Sequence, residues 1–239
     1  MSNRSAKKPG KISAEVIVEQ LRAAESPKDK EGMARFGIKT DNAFGVSVNV
    51  LRDMAKAIGT DHELALELWE TGIHEARILA GIVDDPAMIT EDQMDRWVAD
   101  FDSWDVCDQC CFNLFDRTPF AYSKAIGWAG DEREFVRRAG FVMMATLAVH
   151  DKKAGNEAFE QFYPLIKKYA ADDRNFVRKA VNWALRSIGK HNMALNQSAI
   201  ATAREVQAID SKAARWIAAD ALRELQSDKV QERLLKKKH

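Results

Sequence analysis

The chain has 239 residues with 36 basic and 36 acidic side chains, and 46% of its residues are hydrophobic, a balance typical of globular rather than disordered proteins. No apolar stretch is long enough to cross a membrane, and the basic, polar first residues lack the apolar core of a signal peptide. The three cysteines are clustered and odd in number, which excludes a disulfide framework. We therefore expect a cytoplasmic protein.

The neutral total hides a strong asymmetry along the chain. Residues 61–116 contain 15 acidic and 2 basic side chains, whereas residues 117–239 contain 14 acidic and 23 basic ones. The acidic middle argues against a uniformly basic nucleic-acid-binding protein. The basic second half permits a polyanion to bind on one side of the molecule.

Nearly every segment after residue 12 has apolar residues at helical spacing, and no convincing alternating strand is present. The predicted helices span residues 13–25, 28–36, 48–58, 61–71, 74–83, 90–101, 103–115, 120–129, 132–149, 156–170, 175–189, 196–208 and 211–227. Caps are expected at Ser13, Asp61, Thr90 and Ser103, and a left-handed turn at Gly45. We expect a disordered basic segment at 1–12, a single domain at 13–227 and a frayed basic tail at 228–239.

Two of the predicted helices resemble each other in sequence. The segment Glu134–Gly140 recurs as Asn175–Val181, 41 residues later, and a weaker echo follows at Ser211–Trp216. A period of about 40 residues built from antiparallel helices is the signature of a HEAT-type repeat. The sequence therefore predicts an all-α, HEAT-like α-solenoid of antiparallel helix pairs, with an irregular all-α bundle as the alternative.

One acidic position stands among aromatic residues. Within the stretch 101–112, Trp104, Asp108 and Phe112 fall on one helix face at intervals of four, with Asp105 beside them. A carboxylate next to apolar surface loses solvation unless a cation or a donor compensates, and that cost is most often accepted where the charge is used. No Ser/His/Asp arrangement or phosphate-binding loop competes with it, so Asp108 is the best candidate for chemistry.

Basic residues recur at equivalent positions of the two similar helices. Such a register suits a phosphate backbone, which is itself a periodic line of negative charge. The alternative is a solvated face, or ion pairs with Asp131, Glu132 and Asp172 in the preceding loops. On the second helix, Trp183 is either a core residue or a contact surface between two cations. The candidate phosphate contacts are Arg137, Arg138, Arg178 and Lys179, with Arg186 on the next turn.

The cysteines do not predict a metal site. Cys107, Cys110 and Cys111 supply at most three thiolates from one helix, and no histidine is spaced to complete a zinc site. We interpret them as core residues.

The segment 103–108, Ser-Trp-Asp-Val-Cys-Asp, followed by the two Phe-Val-Arg helices and the later Lys179-Ala-x-x-Trp183, resembles the AlkD-like DNA alkylation repair family over residues 13–225. The resemblance implies a bacterial, HEAT-like repeat DNA glycosylase of base excision repair. Such enzymes remove positively charged N3- and N7-alkylated purines from double-stranded DNA without a base-flipping pocket. We expect a monomer that needs neither metal nor cofactor.

The resemblance also assigns roles to individual residues. It implies that Asp108 is the catalytic carboxylate, that Trp104 and Trp183 contact the sugar and backbone of the damaged nucleotide, and that Arg138 holds a phosphate. Asp105, which lies beside Asp108, is expected to be a supporting residue of the site. Two departures stand out: Ser103 occupies a position where some members have a second tryptophan, and the acidic block at 61–116 would repel DNA unless it lies on the convex side. The alternatives are a DNA-structure-binding protein without activity and a helical scaffold that binds a protein or peptide.

Overall fold

The computed structural model describes residues 12–236, and across these residues all regular structure is helical, as the sequence predicts. The expectation for residues 1–12 falls, except for Ile12, outside the described residues. Contacts divide the chain into two compact units, one ending at Met88 and the other beginning at Ile89. This division describes only which residues pack together within each unit. It does not test whether residues 13–227 form a single domain, which stays a prediction. Within residues 12–236 no helix combines the length and apolar character that a membrane span requires.

The first unit is built around its last helix, which the sequence predicts to be almost wholly buried. Eight of the ten residues of that helix are buried, whereas the second helix buries none of its residues. The helices are α1 (Ala14–Ala23), α2 (Pro27–Arg35), α3 (Val48–Ile58), α4 (His62–Glu70) and α5 (His74–Val83). The predicted cap at Asp61 is confirmed, since its side chain accepts from the amide of Leu64, whereas Ser13 makes no side-chain cap.

A buried carboxylate fixes the loop between α2 and α3. Glu75 is fully buried and accepts hydrogen bonds of 2.7–3.2 Å from the backbone amides of Phe44, Gly45 and Val46. Gly45 has the predicted left-handed conformation, with φ of 79°, and a Cβ there would lie 2.4 Å from the carbonyl oxygen of Ser26. Several donors on one carboxylate compensate its burial without a cation.

The second unit contains the helices that carry the predicted site. They are α6 (Glu91–Ala99), α7 (Trp104–Asn113), α8 (Ala121–Ala129), α9 (Glu134–His150), α10 (Glu157–Glu160), α11 (Tyr163–Tyr169), α12 (Asn175–Gly189), α13 (Met193–Gln207), α14 (Lys212–Leu225) and α15 (Asp228–Lys236), with a 3-10 turn at Phe115–Arg117. The predicted cap at Thr90 is confirmed by a 3.1 Å hydrogen bond from the amide of Gln93.

Most predicted helix ends agree with the structure to within two residues, and three larger differences occur. The helix expected at 156–170 is broken into α10 and α11, because Pro164 belongs in the first turn of a helix and disrupts the turn before it. The start of α13 lies earlier than expected because Asn192 caps it by accepting from the amide of Leu195. The expected frayed tail is the helix α15 as far as Lys236, anchored by the buried side chains of Val230 and Leu234.

The two similar helices, α9 and α12, lie side by side in the same direction. At one end the rings of Phe135 and Phe176 lie 5.5 Å apart between centroids, and these residues are separated by the 41-residue period. At the other end His191 Nδ1 lies 2.8 Å from the carbonyl oxygen of Ala148. A similar offset at both ends requires parallel neighbours. The period therefore corresponds to real adjacent repeats.

The long helix α9 also has an antiparallel partner, α8. The start of α8 contacts the end of α9 through a 3.0 Å hydrogen bond from Tyr122 to Asp151. Its end lies against Gly140, where a Cβ would come within 2.3 Å of the backbone nitrogen of Ala129. Only glycine at 140 lets the two backbones approach this closely.

Two carboxylates occupy equivalent positions, three residues before the first residues of α9 and α12. Asp131 accepts from the backbone amide, Nε and Nη2 of Arg133, and Asp172 does the same with Arg174. Asp172 also accepts a 2.7 Å hydrogen bond from Arg137 of the preceding repeat. We call each arrangement an Asp–Arg clamp.

The clamp at Asp172 predicts a pH dependence of stability. Burial alone would raise the pKa of Asp172, but the hydrogen bonds from Arg174 and Arg137 outweigh it, so the pKa lies below its ordinary value. The clamp therefore stabilises the fold at pH values above the ordinary carboxyl pKa of about 3.9, and this contribution is lost as the pH falls from that value through the lower pKa of the folded state. We expect Asp172→Asn to lower the free energy of unfolding at neutral pH by about 1–3 kcal/mol.

Urea unfolding of wild type and Asp172→Asn across a range of acidic to neutral pH measures this effect. The difference between the two proteins should shrink as the pH falls below about 4. Asp173→Asn is the matched control, because Asp173 is the exposed neighbour of Asp172. A difference that stays constant down to acid pH would show that the clamp carboxylate is not the titrating group.

Candidate functional site

The first two turns of α7 hold three of the predicted site residues. Trp104, Asp105 and Asp108 are all half-buried there, and Asp105 accepts a 3.1 Å hydrogen bond from the amide of Val106. Ser103 precedes the helix in an extended conformation but forms no side-chain cap. Its hydroxyl is buried without a hydrogen-bond partner in the part of the chain that the structure describes. The expected cap is therefore wrong, although the helix begins where it was predicted.

Asp108 is held by a buried arginine. The Nε of Arg138 donates to Oδ1 at 2.9 Å and its Nη2 donates to Oδ2 at 2.7 Å, while Nη1 donates to the carbonyl oxygen of Phe176 at 2.7 Å. The side chain of Arg138 is only 6% exposed and that of Asp108 is 15% exposed. Arg138 therefore lies in the interior as the partner of Asp108 and not on a solvated face, and its role as a phosphate contact stays a prediction.

Burial and the ion pair act in opposite directions on the carboxylate of Asp108. Burial raises the pKa of Asp108 above its ordinary value and the nearby charge of Asp105 adds to the rise, whereas the guanidinium of Arg138 opposes the rise without cancelling it. Burial lowers the pKa of Arg138, but Asp108 more than compensates and the net direction is upward. Arg138 thus stays protonated and keeps Asp108 as the anion of an ion pair. Each carboxylate oxygen retains a lone pair for a water or a cationic partner.

Most of the predicted phosphate contacts are engaged inside the fold. Arg137 lies over the ring of Tyr169 at 4.4 Å and donates to Asp172, which confirms the alternative of an ion pair with the preceding loop. Arg186 donates to Glu224 at 2.5 Å and lies 3.5 Å from Asp220. Neither guanidinium is a free surface cation, because each already has a carboxylate partner from an adjacent segment.

The remaining two candidates lie at the start of α12. Arg178 is half-buried, stacks over the ring of Trp216 at 5.2 Å and donates to Asn175 at 3.2 Å. Lys179 is exposed, and no carboxylate within residues 12–236 forms an ion pair with its ammonium. Lys179 is therefore the residue of the predicted phosphate track that is best placed to meet a polyanion.

Trp183 lies about one turn further along α12 and is half-buried. Arg138 contacts α12 at Phe176, so Trp183 is two turns, or about 10 Å along the helix, from that contact. The indole lines a pocket of about 260 Å³ together with Lys152, Lys190 and Arg233. Sequence reasoning missed these three cations. Lys190 could have been found from its position two turns after Trp183, but Arg233 lay in a segment expected to be frayed.

Several carboxylates of the acidic block at 61–116 are compensated within their own unit. Four of them have a cationic or imidazole partner, and one is held by backbone amides. The difference between acidic and basic residues in this block therefore overstates the negative charge that is free to repel DNA. The pairs are Asp84 with His62, Asp95 with Lys124, Asp108 with Arg138 and Asp116 with His150, and the backbone-bound carboxylate is Glu75.

The cysteines are buried, as their interpretation as core residues predicts. Cys107, Cys110 and Cys111 are all inaccessible, and Cys107 and Cys111 direct their sulfur atoms at backbone carbonyl oxygens of α9. Burial raises the pKa of the Cys111 thiol, so the reactive thiolate is disfavoured there.

Comparison with known proteins identifies a family and a similar solved structure. A family model described as a DNA alkylation repair enzyme matches residues 17–225. A solved protein from "a new family of proteins related to the HEAT-like repeat DNA glycosylases with affinity for branched DNA structures" is 22% identical, with a TM-score of 0.79 over 93% of this chain and 96% of its own. A designed armadillo repeat protein in complex with a (KR)4 peptide, 14% identical over 91% of this chain and 95% of its own, has a TM-score of only 0.36 and supports no argument. No curated protein sequence matches the chain.

The structural match establishes the fold. The chain has a HEAT-like repeat architecture, as the 41-residue period predicts.

Proposed function

Because the chain belongs to the DNA alkylation repair enzyme family, we propose that it is a DNA glycosylase that removes positively charged N3- and N7-alkylated purines from double-stranded DNA. We also propose that it acts as a monomer in the bacterial cytoplasm, without a metal or a cofactor. The observation that carries the proposal is the carboxylate of Asp108, oriented by two hydrogen bonds from Arg138 and still partly open to solvent.

The chemistry requires little more than a positioned negative charge. An alkylated purine already carries a positive charge, so its glycosidic bond is weak and no acid is needed to protonate the leaving base. As that bond breaks, the deoxyribose becomes an oxocarbenium ion. A carboxylate that is fixed beforehand stabilises the developing charge without reorganisation. Its free lone pairs can also orient the attacking water.

The two tryptophans complete the proposed site. Trp104 lies one turn before Asp108 on α7, and Trp183 lies on α12. Both are half-buried, so each offers part of its ring to a ligand. We assign them contact with the sugar and backbone of the damaged nucleotide, with Asp105 supporting the first turn of α7.

Release of the base tests this function directly. The protein is mixed in excess with a duplex methylated at guanine N7 or adenine N3, and the freed base is quantified in a single turnover. We expect release of both bases, with no release of unmodified purines. Absence of release from every alkylated duplex, while the protein still binds them, would refute the glycosylase assignment.

A second candidate function is recognition of DNA structure without excision. The observation that favours it is the ion pair itself, because Arg138 balances part of the charge that Asp108 could offer to a reacting sugar. The solved relative described as having affinity for branched DNA points the same way. Stronger binding to a four-way junction than to a linear duplex, combined with no base release, would favour this candidate. A protein-binding scaffold would instead bind neither form of DNA.

Lys179 is expected to contribute one phosphate contact. Lys179→Gln removes an exposed charge that has no carboxylate partner, so duplex binding should weaken and the slope of log affinity against log salt should fall by about one. Fluorescence anisotropy across a salt series measures both quantities. Lys168→Gln is the control, since Lys168 is also exposed but lies on another helix, α11. An unchanged slope in Lys179→Gln would remove this residue from the DNA interface.

A further inference from the structure

The pocket around Trp183 is built from three separate parts of the second unit. Val149 at the end of α9 and Lys152 in the following loop form one side. Trp183 of α12 and Lys190, which directly follows that helix, form another, and Arg233 of α15 completes the pocket. Its volume of about 260 Å³ is small for a ligand site, since pockets for drug-sized molecules begin near roughly 300 Å³. Such a space suits one phosphate with its sugar and is too small for a base pair.

The charges that line this pocket are all positive. Lys152 and Arg233 are exposed, and no carboxylate in the described part of the chain forms an ion pair with either. Lys190 is balanced by Glu224, at 2.6 Å, but Glu224 is shared with Arg186. The described residues that line the pocket include no acidic side chain. An anion would therefore meet an uncompensated excess of positive charge.

One effect opposes anion binding here. The carboxyl ends of α9 and α12 lie at the pocket, and each helix end carries about half a negative charge. Two full charges from Lys152 and Arg233 exceed that, and Lys190 adds a donor. Arg233 Nη2 also donates to the carbonyl oxygen of Lys190 at 3.4 Å, so the arginine satisfies part of the end of α12 while it lines the pocket.

We propose that this pocket binds one phosphate of a DNA strand, with Lys152, Lys190 and Arg233 as donors and the indole of Trp183 against the adjoining sugar. The inference rests on the proposed function in so far as DNA is the ligand. It adds α15, the helix that sequence reasoning expected to be frayed, to the DNA interface. Binding depends on the phosphate and not on an alkylated base, so undamaged DNA is the appropriate probe.

The test is a double variant, Lys152→Gln with Arg233→Gln, compared with Lys153→Gln with Lys229→Gln. The control pair removes the same total charge from the same loop and the same helix, and both of its lysines are exposed residues that do not line the pocket. Anisotropy with an undamaged duplex across a salt series should show several-fold weaker binding for the pocket variant. Its salt slope should fall by about one relative to the control pair. Thermal melting checks that both variants are folded.

Two further duplexes identify the source of the phosphate. One carries a nick with a 5′-phosphate and the other a nick with a 5′-hydroxyl. An equal loss on continuous and nicked duplexes assigns a backbone phosphate, and a loss confined to the 5′-phosphate nick assigns a terminal one. Equal behaviour of the pocket variant and the control pair on all three duplexes would overturn the proposal. That outcome, with wild type still binding DNA and releasing alkylated bases, would leave the glycosylase assignment intact.

Discussion

Asp108→Asn is expected to slow the single-turnover release of 7-methylguanine by about 10²- to 10³-fold, because it removes the charge that faces the developing oxocarbenium ion. That loss corresponds to roughly 3–4 kcal/mol of transition-state stabilisation. Asparagine keeps the size of the side chain and an acceptor for Arg138, but it leaves the buried guanidinium without its counter-charge, so a lower melting temperature is also expected. Binding to undamaged duplex should not fall and is free to rise, because the charge that is removed is negative and repels the phosphates.

Asp105→Asn is the matched control for that experiment. Asp105 lies three residues earlier on α7 and accepts a hydrogen bond from the amide of Val106, so its loss should act mainly through stability. Thermal melting of both variants separates folding from chemistry. A folded Asp108→Asn protein that releases 7-methylguanine at near the wild-type rate would exclude Asp108 as the catalytic carboxylate.

Arg138→Met is expected to lower the free energy of unfolding by about 3–5 kcal/mol, because it leaves the carboxylate of Asp108 buried without its cation. The same change should have little effect on the salt dependence of duplex binding, because Arg138 is only 6% exposed on its side chain. Urea unfolding measures the first quantity and anisotropy the second. A large fall in the salt slope with normal stability would instead make Arg138 a phosphate contact.

The double variant Arg138→Met with Asp108→Leu tests the same ion pair from the other side. Replacing both partners of a buried pair by apolar residues is often neutral or stabilising, so most of the loss caused by Arg138→Met should be recovered. The double variant should nevertheless release no 7-methylguanine, since the carboxylate is gone. If stability is not recovered, the bond from Arg138 to the carbonyl oxygen of Phe176 outweighs the ion pair.

Local sequence information was sufficient for the helices and for the repeat. The Phe-Val-Arg segments identified α9 and α12 as neighbours, and the 5.5 Å approach of Phe135 and Phe176 follows from that register. Periodicity is a property of short windows, and so are caps such as Asp61 and Thr90. The break before α11 was missed although Pro164 is visible, because the apolar spacing continues across it.

The pairing of side chains across helices could not be predicted in the same way. Asp108 and Arg138 are separated by 30 residues, and their contact depends on how α7 lies against α9. The sequence offered Arg138 either a phosphate or a nearby carboxylate in the preceding loop, but its partner comes from another helix. The packing of α15 was not predicted for a different reason. Val230 and Leu234 have helical spacing, but the basic residues around them suggested a frayed tail.

The Asp–Arg clamp that joins the two repeats affects how the second unit unfolds locally. Asp172 holds Arg174 of its own repeat and Arg137 of the preceding one, and Arg174 in turn donates to the carbonyl oxygen of Glu132. Neither repeat can therefore fray at this end without breaking bonds of its neighbour. Unfolding free energy in such an array resides in nearest-neighbour couplings, so α9 and α12 should exchange their amide hydrogens as one cooperative block.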